Sequence, residues 1–447
     1  MGDSQTLYWN SSPGFTPPRA TSGQGGFGRR RQVAYDERDA VSPRMSSGAL
    51  RSFAHRRFAI VWTGLACSAV GTWVQIVAQS LVTLKITHGS AFALGAVLLS
   101  QAAAFLLFAL AGGGIADAFD RRKLLLVSQT VLGGLAALLG YLTASGRIEL
   151  WMLLVLAFLS GCVLSTDQPA RAALLPALVP DSERTNAIAL QSMIFQGASI
   201  AGPTLAGLAA ASIGYAGCFY LNAVSYLAVL VALLVAGGEG KGTRQSRPNL
   251  IQAVAELFAA LKADPVLRAV LSGYAAVLFL TPSSALLLPV LADSVWHISD
   301  AELGALFACS GIGAVTGALV VAHRGDRGSK SVPYLAGLFA SAIALGVFPS
   351  VRPMWVVAPL LMLAGVGQAA TSVITAALLQ GRVPAGLRGR VMSLNTLLVM
   401  GIRPLGDFPE GWLIHVAGPQ RAALFCAAFI VVAGLLLLPR RSPIHSV

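Results

Sequence analysis

Val179, Pro180 and Arg184 recur as Val383, Pro384 and Arg388, a separation of 204 residues. Gly197, Gly202, Gly207 and Gly214 recur at the same separation as Gly401, Gly406, Gly411 and Gly418. Gly161 pairs with Gly365 and Gly113 with Gly317, so the register is expected to extend upstream. A chain of 447 residues that repeats one unit must fold as two related halves.

The unit is apolar almost throughout. Soluble domains carry about 25% charged residues, whereas here 11% are charged and 55% are apolar, with a mean hydropathy of +0.70. Nearly charge-free runs follow one another from Phe58 to Leu438, each close to the ~20 residues a helix needs to cross a hydrocarbon core. Their bounds are 58–82, 91–113, 124–144, 149–168, 187–211, 217–236, 268–291, 302–322, 332–350, 354–376, 391–414 and 421–438. The long run at 185–238 is divided at Ile213–Gly217, where two glycines signal a turn. The runs lack the alternation of barrel strands. The expected fold is therefore an all-α membrane protein of twelve transmembrane helices in two six-helix pseudo-repeats, 58–236 and 268–438.

Lys and Arg set the expected orientation. With the N-terminus inside, 27 of the 32 fall on the cytoplasmic side, Lys85, Arg147, Arg352 and Arg421 fall outside, and Arg403 lies within a span. Both termini are thus expected in the cytoplasm, and the net charge of +13 reflects topology and anionic lipid rather than nucleic-acid binding. Residues 1–57, rich in Gly, Ser, Pro and Arg, read as a disordered cytoplasmic tail without a secretory signal, and 439–447 as a short cytoplasmic tail. Residues 237–267 read as a cytoplasmic linker in which Ile251, Val254, Phe258 and Leu261 mark an amphipathic helix. The five cysteines show no ligand spacing, so neither disulfide nor metal is expected.

Gly113, Gly114, Ile115, Ala116 and Asp117, followed by Asp120, Arg121, Arg122 and Lys123, resemble the cytoplasmic loop signature of the Major Facilitator Superfamily, with Asp120 where the pattern has Gly. The resemblance implies a conformational latch of Asp117, Arg121 and Arg122 with Arg388 at the start of span eleven. A carboxylate is stabilised by a helix N-terminus and nearby arginines. In the second half the signature is degraded to His323, Arg324, Gly325, Asp326 and Arg327. Gly197, Gly202, Pro203 and Gly207 resemble the antiporter signature of span five, with Ala206 replacing one glycine. Ordinary helix packing through small residues is the alternative. The arginine of antiporters in span four is missing, since 150–168 contain no Lys or Arg. Asp167–Arg171, Leu221–Ala223, Asp264–Arg268 and Arg388–Met392 are similar to the enterobactin-exporter and macrolide-efflux branch of that superfamily. This implies a monomeric bacterial inner-membrane exporter of a small organic molecule, a siderophore or a drug-like metabolite. An importer, a lipid flippase or a transport-inactive scaffold on the same helices remains open.

Ionisable groups within spans are candidates for function. Arg403, Asp407 and Glu410 share one face of span eleven and are candidates for proton coupling. The alternative is an Arg403–Asp407 ion pair with Glu410 reaching the outer interface. Asp167, four residues before Arg171, is a further coupling candidate or a cap. The family fold implies a cavity lined by spans one, four, seven and ten, which offer Trp73, Gln75, Gln79, Ser165, Tyr274, Thr281, Gln368 and Thr371. Each is equally suited to helix packing. The chain has no phosphate-binding loop, metal spacing or nucleophile elbow, so an enzyme and an ATP-driven pump are disfavoured, no cofactor is expected, and protons are the expected partner.

Overall fold

The computed structural model describes residues 50–237, 265–324, 330–382 and 401–437, all within one compact unit. The expected tails, the amphipathic helix at 251–262 and Arg388 lie outside the described residues. The described residues are helical: α1 Arg56–Ile86, α2 Ala91–Ala118, α3 Arg121–Ala144, α4 Leu150–Ala177, α5 Arg184–Ala236, α6 Pro265–Leu280, α7 Ser284–Leu291, α8 Asp300–Arg324, α9 Ser331–Val347, α10 Met354–Arg382, α11 Arg403–Ala417 and α12 Pro419–Leu437. Among them, nine segments are long and apolar enough to cross a membrane. One, Asp181–Ala236, has 56 residues, enough for two passes.

Local chemistry sets the boundaries. Ser90 and Asp120 each accept a hydrogen bond from the amide three residues on (3.2 and 3.0 Å), so α2 and α3 begin with a side-chain cap. At α8, Ser299 and Glu302 form a reciprocal box: Ser299 N donates to Glu302 Oε2 at 2.9 Å, and Glu302 N donates to Ser299 Oγ at 3.4 Å. Inside α5 the single departure from helical geometry is Gly214, at φ 70° and ψ 175°. Its repeat partner Gly418 has φ 87° and separates α11 from α12. A side chain is strained at such a φ and glycine is not, which explains why both halves keep it there. Pro203 lies in the same helix without breaking it.

Helix contacts in a membrane depend on close approach rather than on hydrophobic burial. The repeated glycines supply it in matching ways. A Cβ on Gly161 would collide with Gln101 O of α2, and one on Gly365 with Ser310 O of α8. Gly202 abuts Trp73 Cβ of α1, and Gly406 abuts Phe279 O of α6. Gly207 meets Asp300 O and Gly304 of the other half, as Gly411 meets Ala91 O and Gly95. In these pairs α5 and α11 are related by 204 residues, whereas Ala91 and Asp300, Gly95 and Gly304, and Gln101 and Ser310 are each 209 apart. His88 and His297, both left-handed at φ 52° and 51°, keep the 209 spacing. The expected pairing of Gly113 with Gly317 is therefore corrected: Ala322 holds the counterpart position, and Asp117 corresponds to Asp326. The second half loses the difference downstream of α8, where α9 has 17 residues against 24 in α3.

Span seven, expected as one helix over 268–291, is instead two, because α6 ends at Leu280 and α7 restarts at Ser284. The cause is local. Pro282 has no N–H and its ring disfavours a helical Thr281, while Ser283 Oγ accepts from Leu286 N at 3.1 Å and caps the restart. Such a break survives in a membrane only where protein satisfies the freed backbone groups.

The two halves touch through α5–α8, α2–α11, α1–α7 and α2–α7. Gly207 stands seven residues from the Gly214 turn and Gly411 seven from the Gly418 turn. These contacts therefore clasp the end opposite Arg56, hereafter the loop end. The Phe92 and Phe408 rings reinforce the clasp, with centroids 5.1 Å apart.

Candidate functional site

Among the described residues, the carboxylates buried below one-tenth exposure are Asp167, Asp407 and Glu410. Their surroundings differ. Asp167, fully buried in α4, accepts from Ser128 Oγ and from Gln129 Nε2, both at 2.7 Å, and its other oxygen pairs with Arg171. Two donors and a cation hold this carboxylate in place. Through these contacts Asp167 ties α4 to α3.

Asp407 lies on α11 at 2% exposure, and its Oδ1 accepts from Ser283 N at 2.8 Å. It therefore holds the first amide of the restarted helix α7. The alternative reading, an Arg403–Asp407 ion pair, is not formed, and the Arg403 guanidinium turns to α10. With its amide oxygen toward that group, Gln368 accepts from Nη1 at 3.1 Å and Nη2 at 3.0 Å. Glu410 does not reach the outer interface. It is buried at 6% exposure with Cys426 Sγ 3.9 Å from Oε1, and Oε2 has no hydrogen-bond partner. Arg403 Nε and Thr281 Oγ1 are likewise buried without a hydrogen bond. An unmet buried polar atom costs about 1–3 kcal/mol, so this cluster holds unspent capacity to bind a proton, water or ligand atom.

The expected cavity residues divide. Tyr274 OH donates to Ser372 Oγ at 3.2 Å and joins α6 to α10, beside the Arg403–Gln368 contact. Gln368 is exposed. Gln79 borders a gap of about 20 Å³ with Ser80 and Gln101. The others serve packing. Gln75 Oε1 accepts from Asn222 Nδ2 at 2.7 Å, the buried Ser165 lies against Gly112, Trp73 abuts Gly202, and Thr371 donates to Gln368 O of its own helix at 2.9 Å. A larger apolar groove of about 460 Å³, between α1 and the second part of α5, includes Thr63, Cys67 and Val231 and none of the expected cavity residues.

The basic residues of the loop signature have a defined use. Arg121 Nη1 donates to Ala173 O (3.3 Å) and Arg122 Nε to Leu233 O (2.9 Å), so they cap the carbonyl ends of α4 and α5 within one half. Asp117 lies in the last turn of α2, and its expected partner Arg388 is outside the described residues. Among the described residues no atom lies within 4 Å of where a Cβ on Gly197 would stand, whereas Gly202 and Gly207 are packing glycines.

Sequence reasoning did not single out Ser283, Cys426, Ser372 or Gly95. The run Thr281-Pro282-Ser283-Ser284 carries the break signal, but a hydropathy window passes over it.

A family model described as transmembrane secretion effector matches residues 47–445. The enterobactin exporter EntS of Citrobacter koseri is 28% identical over 396 residues, covering 86% of this chain and 90% of the relative. The uncharacterized MFS-type transporter YfiS of Bacillus subtilis is 24% identical over 390 residues, covering 83% and 90%. The fold matches an inward-facing bacterial homologue of the lysosomal transporter Spinster (TM-score 0.69, 15% identity, 85% and 96% covered) and a D-xylose–proton symporter (0.67, 14%, 86% and 97%). These folds and relatives are transporters rather than enzymes. This chain belongs to the transmembrane secretion effector family and is a Major Facilitator Superfamily transporter of the enterobactin-exporter-like branch.

Proposed function

We propose that the protein exports a small organic molecule, a siderophore or drug-like metabolite, across the bacterial inner membrane in exchange for protons. Both termini lie in the cytoplasm, and the loop end faces outward, as the Lys and Arg distribution favours. The observation that carries this reading is the pair of buried carboxylates on α11, neither held by an ion pair within 4.0 Å. A carboxylate in that setting exchanges protons as its surroundings change, and alternating closure at the two ends exposes it to each side in turn.

The substrate class follows from the relatives and from the lining together. The relatives are named as exporters of enterobactin, and Tyr274, Ser372, Gln368 and Arg403 bring hydroxyl, amide and guanidinium groups together on three helices. In inverted vesicles with an acid lumen, the protein should concentrate enterobactin in the lumen, and collapsing the pH gradient should stop uptake. Uptake indifferent to the gradient contradicts proton exchange, and depletion of the lumen contradicts export.

A further inference from the structure

Asp407 stands where three elements meet. Its Oδ1 accepts from Ser283 N at 2.8 Å across the α6–α7 break, a Cβ on Gly95 of α2 would fall 2.8 Å from its own carbonyl oxygen, and its neighbour Gly406 abuts Phe279 O. Helix α7, which this carboxylate caps, is buried from Leu286 to Leu291 and packs on α1 and α2 of the other half. One residue thus touches both, the restart of a broken span through its carboxylate and the clasp at the loop end through its backbone carbonyl.

We propose that the Asp407–Ser283 contact is the transducer between proton occupancy and loop-end closure. This rests on the proton-exchange reading above and names the element through which the proton acts. A charged carboxylate is the stronger acceptor for a backbone amide, by roughly tenfold in equilibrium terms. The ionised Asp407 therefore favours the capped, closed state seen here, and by reciprocity closure favours release of its proton. When the loop end opens, α7 separates from its cap and the carboxylate, losing its donor, takes up a proton from outside. Closure restores the donor and expels the proton inward. The deprotonated empty carrier is then held closed until substrate binds, which is the condition for exchange without leak.

The charged and titratable groups around the contact are few. Arg403 and Glu410 share the helix of Asp407, Cys426 faces Glu410 from α12, and Tyr274 lies on α6 near Arg403. The facing residues of α2, Phe92 and Gly95, carry no charge. Ser283 has φ −64°, the value a proline ring imposes, so Ser283→Pro removes the donor amide without forcing the backbone. Ser283→Ala keeps the amide and removes only the hydroxyl.

The test places spin labels at Ser145 and Arg352, both exposed at the loop end of opposite halves, with Cys67→Ser, Cys162→Ser and Cys309→Ser as background. Distance distributions are recorded from about pH 5 to about pH 9, on either side of neutrality. The short, closed distance should gain population as pH rises in the parent and in Ser283→Ala. It should lose its pH response in Asp407→Asn, and both the response and most of the closed population in Ser283→Pro. A parent with no pH response, or a Ser283→Pro or Asp407→Asn protein that keeps it, overturns the proposal. Enterobactin flux under a pH gradient, measured on the same proteins, separates the two ideas. Coupled flux with distances blind to Ser283→Pro rejects the transducer and keeps proton exchange. Responsive distances without coupled flux reject proton exchange and keep the switch.

Discussion

The two halves share one template and treat buried charge in opposite ways. In the first, Asp167 is closed into a knot with Arg171, Ser128 and Gln129, and Arg121 and Arg122 seal the carbonyl ends of two helices. Spans one to five run without a break. In the second, span seven is interrupted, Asp407 holds an amide rather than a cation, Glu410 keeps an unmet oxygen, and Arg403 has only an amide for company. One set of glycines positions the helices in both halves, so the difference lies in side chains placed on a common frame. Here the first half reads as the stator and the second as the part that titrates and moves.

The sharpest way to break that comparison is to open the knot. Arg171→Ala leaves Asp167 fully buried without its cation, and breaking a buried pair by removing one partner costs about 3–5 kcal/mol. Yield of folded protein and its thermal midpoint in detergent should fall steeply. The double variant Asp167→Asn, Arg171→Gln should recover most of the loss, and an unchanged midpoint in Arg171→Ala would mean the first half is no stator. A smaller effect is expected at the clasp. A Cβ on Gly207 would collide with Asp300 O, so Gly207→Leu should disfavour loop-end closure by about 1–3 kcal/mol. Spin-label distances should lengthen while Gly197→Leu leaves them unchanged. Next comes Asn222→Leu, which strips Gln75 and Ser225 of a partner and should lower stability by about 1–3 kcal/mol without altering proton coupling. Least of all, His55→Ala removes a partly exposed contact to Glu183 at 3.1 Å, worth about 0–1 kcal/mol, and the midpoint should hold.

Much of this frame was legible before any coordinates. Gly214 and Gly418 mark the turns because no other residue is at ease at their φ, and Gly207 and Gly411 betray close helix approach by their spacing alone. The register of α2 on α8 was misjudged because a shortened α9 shifts the offset from 204 to 209, which a single spacing cannot reveal. The buried acids were found, yet their partners were not. Arg403 and Asp407 are four apart on one helix and suggest a pair, but the partners that win belong to α10 and to the break before α7. Contacts between distant elements carry no local signature. Gln75, Ser165 and Thr371 show the same limit, since a polar residue in a span looks alike whether it faces a cavity or a neighbouring helix.

The account stands most directly on where the proton binds. Enterobactin accumulation in inverted vesicles with an acid lumen should be compared among the parent, the double variant Asp407→Asn, Glu410→Gln and the double variant Asp167→Asn, Arg171→Gln, at matched protein. The α11 double variant should lose accumulation against a gradient and retain downhill exchange, while the α4 variant keeps both. An α11 double variant that still concentrates substrate in step with the imposed pH gradient would contradict the assignment of coupling to the second half.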